Sequence, residues 1–186
     1  MKIAFVFDGV FVDSSRAKED VAWRLLGKKY RKSLRRIDRG NDFLSRDGYI
    51  ALKERVYETR ENGLMLDLFD SVLYYLGRLK SDGHQLFAVT LRSEAGQKVV
   101  HEWCYERYIN LNFIAVENRK IEPEYFTDFD VFIAKKPSQL WPLVNAVSNL
   151  FLFIPFGMPV EDSVHPRFQL VRSWESIYRK VLSLTP

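Results

Sequence analysis

Residues 3–14 read Ile-Ala-Phe-Val-Phe-Asp-Gly-Val-Phe-Val-Asp-Ser, and this stretch decides the fold. The run up to Phe7 is continuously apolar and stops at Asp8-Gly9, which is typical of a central parallel strand buried on both faces. Farther along, further apolar runs cover 85–90, 113–116, 131–134, 150–154 and 168–171. Segments with helical spacing separate these runs. The alternation predicts an α/β fold with a Rossmann-like parallel sheet.

The spacing of apolar residues also predicts where the helices lie. Helices are expected over 16–39, 46–61, 94–107, 138–147 and 174–182, and Gly40-Asn41 is expected to end the first of them. The segment 15–66 is charged, helical and free of strands. We therefore expect residues 1–14 and 67–186 to form the α/β core and residues 15–66 to form a small helical insertion.

Composition narrows the class of protein. The chain has 186 residues, of which 47% are hydrophobic, enough for one domain with a substantial core. No apolar run approaches the ~20 residues that a transmembrane helix needs, so no membrane partner is predicted. Cys104 is the single cysteine, which excludes an internal disulfide and predicts a buried thiol in a cytoplasmic protein.

The first motif resembles that of the haloacid dehalogenase-like superfamily, which is hydrophobic-Asp-x-Asp-Gly-Val-x-x-Asp-Ser. Asp8-Gly9-Val10 is in register with it, but Val6 stands where the family has its nucleophilic Asp. The resemblance implies a Rossmann-like core with a small cap, here residues 15–66. It also implies an acid/base role for Asp8. In an alternative register Asp8 is the nucleophile, and Val10 then stands at the acid/base position.

Two further motifs match the family at one residue each. Thr90 ends its strand as the phosphoryl-holding Thr or Ser of the second motif does, and Lys136, before Pro137, matches the third-motif lysine that offsets negative charge. Lys135 is the alternative lysine. Arg92 follows Thr90 by two residues and is either a bidentate anion ligand or a solvated loop cation.

The fourth motif, which holds Mg²⁺ together with the first, lacks its acids. The strand 150–154 is expected to carry it but runs into Pro155-Phe156, while Glu161 and Asp162 come too late in the chain. Because Mg²⁺ demands several oxygen ligands, Asp8 by itself makes a poor site. The sequence thus predicts a catalytically degenerate member of the superfamily with no metal, and Mg²⁺ is expected only if phosphatase activity survives.

A basic segment spans residues 24–39 and contains one acid, Asp38. Its cations are Arg24, Lys28, Lys29, Arg31, Lys32, Arg35, Arg36 and Arg39. The segment predicts either a solvated helix face or a surface that binds nucleic acid or an acidic protein. The leading hypothesis is therefore a non-catalytic regulatory protein that acts by binding. The alternative is a phosphatase, phosphotransferase or phospho-ligand-binding protein that uses Asp8, Thr90 and Lys136.

Overall fold

The computed structural model describes residues 1–27, 45–116, 120–158 and 165–184. Its strands, in chain order, are β1 (Lys2–Val6), β2 (Val12–Asp13), β3 (Asp67–Leu68), β4 (Gln85–Thr90), β5 (Asn112–Ala115), β6 (Val131–Ala134), β7 (Asn149–Phe153) and β8 (Phe168–Val171). Six of them form one sheet in the order β5-β4-β1-β6-β7-β8, and β2 pairs with β3 separately. Every pairing in the large sheet is parallel, which confirms the predicted α/β class.

The first strand is central because its sequence is apolar on both faces. β1 lies between β4 and β6, and the residues from Ile3 to Phe7 are at most 1% exposed. A strand that buries both faces can lie only inside the sheet, with helices on either side. The continuous apolar run that opens the chain therefore fixes the position of β1, and with it the position of the loop that follows.

Helices occupy the segments between the strands. They are α1 (Ser15–Leu26), α2 (Arg46–Glu58), α3 (Arg60–Gly63), α4 (Val72–Ser81), α5 (Glu94–Glu106), α6 (Pro137–Leu140) and α7 (Trp174–Ser183). The prediction of one continuous helix over 16–39 is wrong at Gly27, where the backbone enters the left-handed region with φ of 57° and ends α1. Glycine adopts this conformation readily and commonly ends helices in this way. Residues 28–39 and Gly40-Asn41 lie outside the described residues.

Two other predicted helices are divided in the structure. The segment 46–61 breaks at Thr59, whose backbone is extended, so that α2 and α3 are separate. The segment 138–147 becomes the short α6 followed by a 3₁₀ turn over Trp141–Leu143. Pro142 explains the second break, because proline has no backbone N–H and its ring clashes with the preceding helical turn.

Contacts divide the chain into two compact units. The first contains residues 1–12, 68–91 and 111–186 and holds the six-stranded sheet. The second contains residues 13–67 and 92–110, and thus α1, α2, α3 and α5. Within the second unit α5 packs closely on α3, where Val99 lies against Gly63, and the indole N–H of Trp103 donates to the carbonyl of Leu66 at 3.0 Å. The domain boundaries drawn from the sequence stay a prediction.

Two simpler expectations concern Cys104 and membrane helices. Cys104 is 3% exposed, and burial raises the pKa of its thiol to about 12, so it packs as a small apolar side chain. Among the residues that the structure describes, no helix has the length and apolar character required to cross a membrane.

Candidate functional site

The carboxyl ends of β1, β4 and β6 lie at one edge of the sheet. Val6 is paired in register with Val89 of β4, and Phe5 is paired with Ile133 of β6. Because the strands are parallel and neighbouring, the residues that follow them come to the same edge, where ligands bind in open α/β sheets. The structure therefore brings the residues after β1 together with Thr90 and with the lysines after β6.

A wide turn over Phe7–Phe11 follows β1. Asp8 is half-buried in this turn, and the backbone N–H of Val12 donates to the carbonyl of Phe7 to close it. Gly9 has a φ of 88°, in the left-handed region that residues with a side chain rarely adopt. The Asp-Gly pair of the sequence motif thus has a conformational reason, because the turn needs glycine directly after the carboxylate.

Lys135 lies across Gly9. A methyl group placed on Gly9 would meet the Cδ atom of Lys135 at 2.5 Å and its Nζ atom at 3.4 Å. Lys136 is exposed instead, and it is the N-cap residue of α6, where its backbone N–H donates to the Oε1 atom of Gln139 at 3.2 Å. The structure therefore brings Lys135, the alternative lysine of the sequence analysis, to the loop after β1. The assignment of Lys136 to the third motif stays a prediction.

The strand expected to carry the fourth motif is not beside β1. β7 is separated from β1 by β6, and two strand spacings amount to about 9–10 Å. Side chains after β7 are thus badly placed to share one small cation with those after β1. Between β1 and β7 lies β6, and Lys135-Lys136 directly follow it. Assigning the fourth motif to 150–154 and Pro155-Phe156 is therefore wrong. Carboxylates could reach the first motif from the end of β6, but two lysines follow that strand instead.

Val6 and Thr90 are both buried at this edge. Val6 is the last residue of β1 and is 1% exposed, so its side chain belongs to the core. Thr90 is also 1% exposed, and its carbonyl accepts a hydrogen bond of 3.1 Å from the N–H of Val116. This hydrogen bond joins the end of β4 to the residue that follows β5.

Arg92 belongs to the second unit. It is 4% exposed, which excludes the solvated loop cation considered in the sequence analysis. Its Nη1 atom donates to the carbonyl of Tyr57 at 3.2 Å, and its guanidinium carbon lies 4.8 Å from the centre of the Tyr57 ring. Arg92 is therefore a buried cation stacked on an aromatic ring.

The basic segment enters the described part of the structure only at Arg24. Arg24 pairs with Asp20 at 2.7 Å and with Glu61 at 3.3 Å, and the hydrogen bond with Asp20 raises the pKa of its guanidinium. The remaining cations of the segment lie outside the described residues: Lys28, Lys29, Arg31, Lys32, Arg35, Arg36 and Arg39. Binding of nucleic acid or an acidic protein through this segment stays a prediction.

Among the described residues, carboxylates, histidines and cysteines do not form a metal-binding group. Within 1–27, 45–116, 120–158 and 165–184, no three of these side chains lie close enough together to hold a metal ion. Glu161 and Asp162 lie outside these ranges.

Trp174 supports the loop after β1, which the sequence analysis did not foresee. Its indole N–H donates to the carbonyl of Val10 at 2.9 Å, in buried surroundings. Its ring also packs edge-on against Phe5 and Phe11, with centroid distances of 5.5 and 6.2 Å. In the sequence Trp174 is simply the apolar first residue of the last helix, 164 residues away from Val10. No local pattern could have revealed this contact.

Comparison with known proteins rests on solved structures. No family model and no curated protein matches the sequence. A HAD-superfamily hydrolase from Ehrlichia chaffeensis superimposes with a TM-score of 0.60 at 15% identity, over 100% of this chain and 97% of that one. A haloacid dehalogenase-like family hydrolase from Streptococcus pneumoniae gives a TM-score of 0.64 at 14% identity, over 100% and 98%. CbbY from Rhodobacter sphaeroides, in complex with phosphate, gives 0.54 at 15% identity, over 93% and 94%.

The chain has the haloacid dehalogenase-like fold. The similarity to these structures extends over 93–100% of the chain. It agrees with the fold that the family resemblance of residues 3–14 implies. At identities of 14 and 15% the similarity establishes the fold and leaves the chemistry open. What this protein does must therefore be argued from the residues at its own sheet edge.

Proposed function

We propose that this protein binds a phosphorylated small molecule at the carboxyl ends of β1, β4 and β6, without Mg²⁺ and without forming a covalent intermediate. The observation that carries the proposal is the position of Lys135. Its side chain lies across Gly9, the residue that follows Asp8, and Lys135 itself directly follows β6, a neighbour of β1. An ammonium group there supplies positive charge to an anion at the sheet edge.

The residue at position 6 is evidence against a covalent phosphoryl-enzyme intermediate. Attack on phosphorus in this superfamily needs a carboxylate nucleophile at the end of β1, and the isopropyl group of Val6 has no lone pair to offer. Asp8 could be the nucleophile only in the alternative register, in which Val10 takes the acid/base position. Val10 is fully buried and has no titratable group. Binding of phosphate without turnover requires neither a nucleophile at residue 6 nor an acid/base group at residue 10.

The side chains at this edge do not fit Mg²⁺. The ion requires oxygen ligands in nearly octahedral geometry, usually including carboxylates. Here Lys135 and Lys136 directly follow β6, a neighbour of β1, and their ammonium groups are donors that would repel a divalent cation. Of the two acids that the resemblance places in the first motif, this chain has only the second, Asp8. The donor set favours an anion as the ligand.

The retained residues suit a phosphate ester. Lys135 can donate to the phosphate oxygens, the hydroxyl of Thr90 can donate as well, and Asp8 can accept a hydrogen bond from a hydroxyl group of the ligand. The phosphate complex of CbbY from Rhodobacter sphaeroides supports the idea, because that protein shares the fold. A working phosphatase remains the alternative, and it would need a nucleophile other than residue 6.

The proposal predicts that Lys135→Met weakens phosphate binding at least tenfold. Hydrogen bonds to charged groups contribute roughly 1.5–3 kcal/mol, and about 1.4 kcal/mol corresponds to a factor of ten in affinity. Binding of inorganic phosphate would be followed by NMR chemical shifts of backbone amides, in a buffer containing EDTA. Lys136→Met is the matched control, because it removes the same charge one residue away, and it should change the affinity less than twofold.

Two results would contradict the proposal. One is an equal loss of affinity in the two lysine variants, which would mean that phosphate responds to net charge rather than to a site. The other is a phosphate affinity that rises steeply when Mg²⁺ replaces EDTA, since that would require a metal bound at the sheet edge.

A further inference from the structure

His84 lies at the joint between α4 and β4, at the opposite ends of the strands from the candidate site. It directly precedes β4, and its backbone N–H donates to the carbonyl of Leu79, in α4, at 3.1 Å. The N–H of Gln85 in turn donates to the carbonyl of Met1 at 2.9 Å. These hydrogen bonds connect the last turn of α4 to β4, and β4 to the residue before β1. A change at His84 therefore acts on two neighbouring strands of the sheet.

The imidazole of His84 is enclosed by the protein. The residue is 7% exposed, and its Nε2 atom is buried without a hydrogen-bond partner among the described residues. A neutral imidazole has one N–H donor and one acceptor nitrogen, whereas the protonated ring has two N–H donors and a positive charge. Burying an unpaired neutral polar atom has a moderate cost in free energy, but burying an unpaired charge costs much more. The surroundings of Nε2 therefore suit the neutral ring.

The charged groups around this imidazole come from three segments of the first unit. The amino nitrogen of Met1 lies 3.4 Å from the Nδ1 atom of the ring. Asp82, at the end of α4, and Asp130, just before β6, act on the ring as negative charges. The Oδ2 atom of Asp130 also accepts a hydrogen bond of 2.7 Å from the backbone N–H of Lys2, whose side chain pairs with Asp128. Both signs of charge thus lie around the ring, and its contact with the positive amino group is direct.

Protonation of the ring would reverse its contact with Met1. The Met1 ammonium can donate a hydrogen bond to Nδ1 only while that nitrogen keeps its lone pair. In the imidazolium both nitrogens carry hydrogen, so two positive groups would face each other across 3.4 Å. Burial first, and the Met1 ammonium second, lower the pKa of His84 below its ordinary value of about 6.5, and Asp82 and Asp130 offset only part of this effect.

We propose that His84 is an acid-sensitive switch, in which protonation of the imidazole at the joint between α4 and β4 destabilises the fold. The unfolded chain takes up a proton at this residue at about pH 6.5, whereas the folded protein resists until the pH is lower. The stability that the neutral ring contributes is therefore fully present above about pH 6.5 and is lost as the pH falls towards the folded pKa. The upper part of this range lies above the ordinary pKa values of aspartate and glutamate, about 3.9 and 4.3, so most carboxylates stay charged while His84 responds.

The test is urea unfolding of the full chain at pH 7.5 and pH 5.5, at constant ionic strength and monitored by circular dichroism. We expect the urea midpoint of the wild type to be lower at pH 5.5. His84→Phe keeps an aromatic ring at this position without a titrating nitrogen, so most of the decrease should disappear in this variant. His101→Gln is the matched control, because it removes an exposed histidine, and its midpoint should decrease as in the wild type.

Two results would overturn the proposal. One is an equal decrease of the urea midpoint in the wild type and in His84→Phe, because a group other than His84 would then cause it. The other is an NMR titration of the wild-type His84 ring that gives a pKa at or above about 6.5, since the folded protein would then not disfavour the charged form. The titration needs no substitution, so it decides the question even if His84→Phe does not fold.

Discussion

Replacing Trp174 by alanine is expected to lower the free energy of unfolding by about 3–5 kcal/mol, the usual cost of removing a large buried aromatic side chain. The ring packs on Phe5 and Phe11, and its N–H satisfies the carbonyl of Val10. The substitution would therefore leave both a cavity and a buried carbonyl without its partner. Urea unfolding, monitored by circular dichroism, measures the change.

Trp174→Phe separates the two contributions. Phenylalanine keeps most of the aromatic packing and removes the N–H donor, so the expected loss is about 1–3 kcal/mol, the cost of a buried group left unsatisfied. A loss below 1 kcal/mol for Trp174→Ala would contradict the account, because it would mean that the loop after β1 does not depend on α7.

Val6→Asp is expected to destabilise the fold at neutral pH by about 3–5 kcal/mol, as an uncompensated buried charge does. Val6 is 1% exposed and is paired with Val89, so the introduced carboxylate would enter an apolar core. Burial would raise its pKa in the folded protein above the unfolded value of about 3.9. The charge penalty is then absent below about pH 4 and grows as the pH rises towards the folded pKa.

Urea unfolding of Val6→Asp at pH 4 and pH 7 tests this directly. Val6→Asn is the matched control, because it has the same shape and polarity without a titrating group, and its deficit should not vary with pH. A Val6→Asp protein as stable as the wild type at pH 7 would contradict the account. That result would show that a cation reaches the position of residue 6, and the site would then retain the geometry for a nucleophile.

The succession of strands along the chain and the parallel sheet follow from local patterns, whereas strand order within the sheet and the partners of the site do not. The apolar run up to Phe7 and its Asp-Gly ending predict a central strand and the turn after it. The choice between Lys135 and Lys136 depends on which side chain crosses Gly9. A Lys-Pro match carries no information about side-chain direction, and so the sequence could not show that Lys135 is the lysine that lies across Gly9.

The fourth motif and Arg92 could not be placed for the same kind of reason. The strand over 150–154 looks like the right one in chain order, but strand order in the sheet puts β6 beside β1. In the sequence Arg92 is either an anion ligand or a solvated loop cation, while the structure buries it against Tyr57, a residue of α2. Contacts between segments that are distant in the chain decide both points, and local spacing does not report them.

The central claim is that this haloacid dehalogenase-like fold binds phosphate without the chemistry of its first motif. The measurement that tests it most directly is turnover of a generic aryl phosphate, with Mg²⁺ and with EDTA, by the wild type beside Asp8→Ala. The account predicts that neither protein releases phosphate above the buffer rate in either condition. Mg²⁺-dependent turnover by the wild type that Asp8→Ala abolishes would contradict it, and would mean that the protein is a phosphatase with a nucleophile other than residue 6.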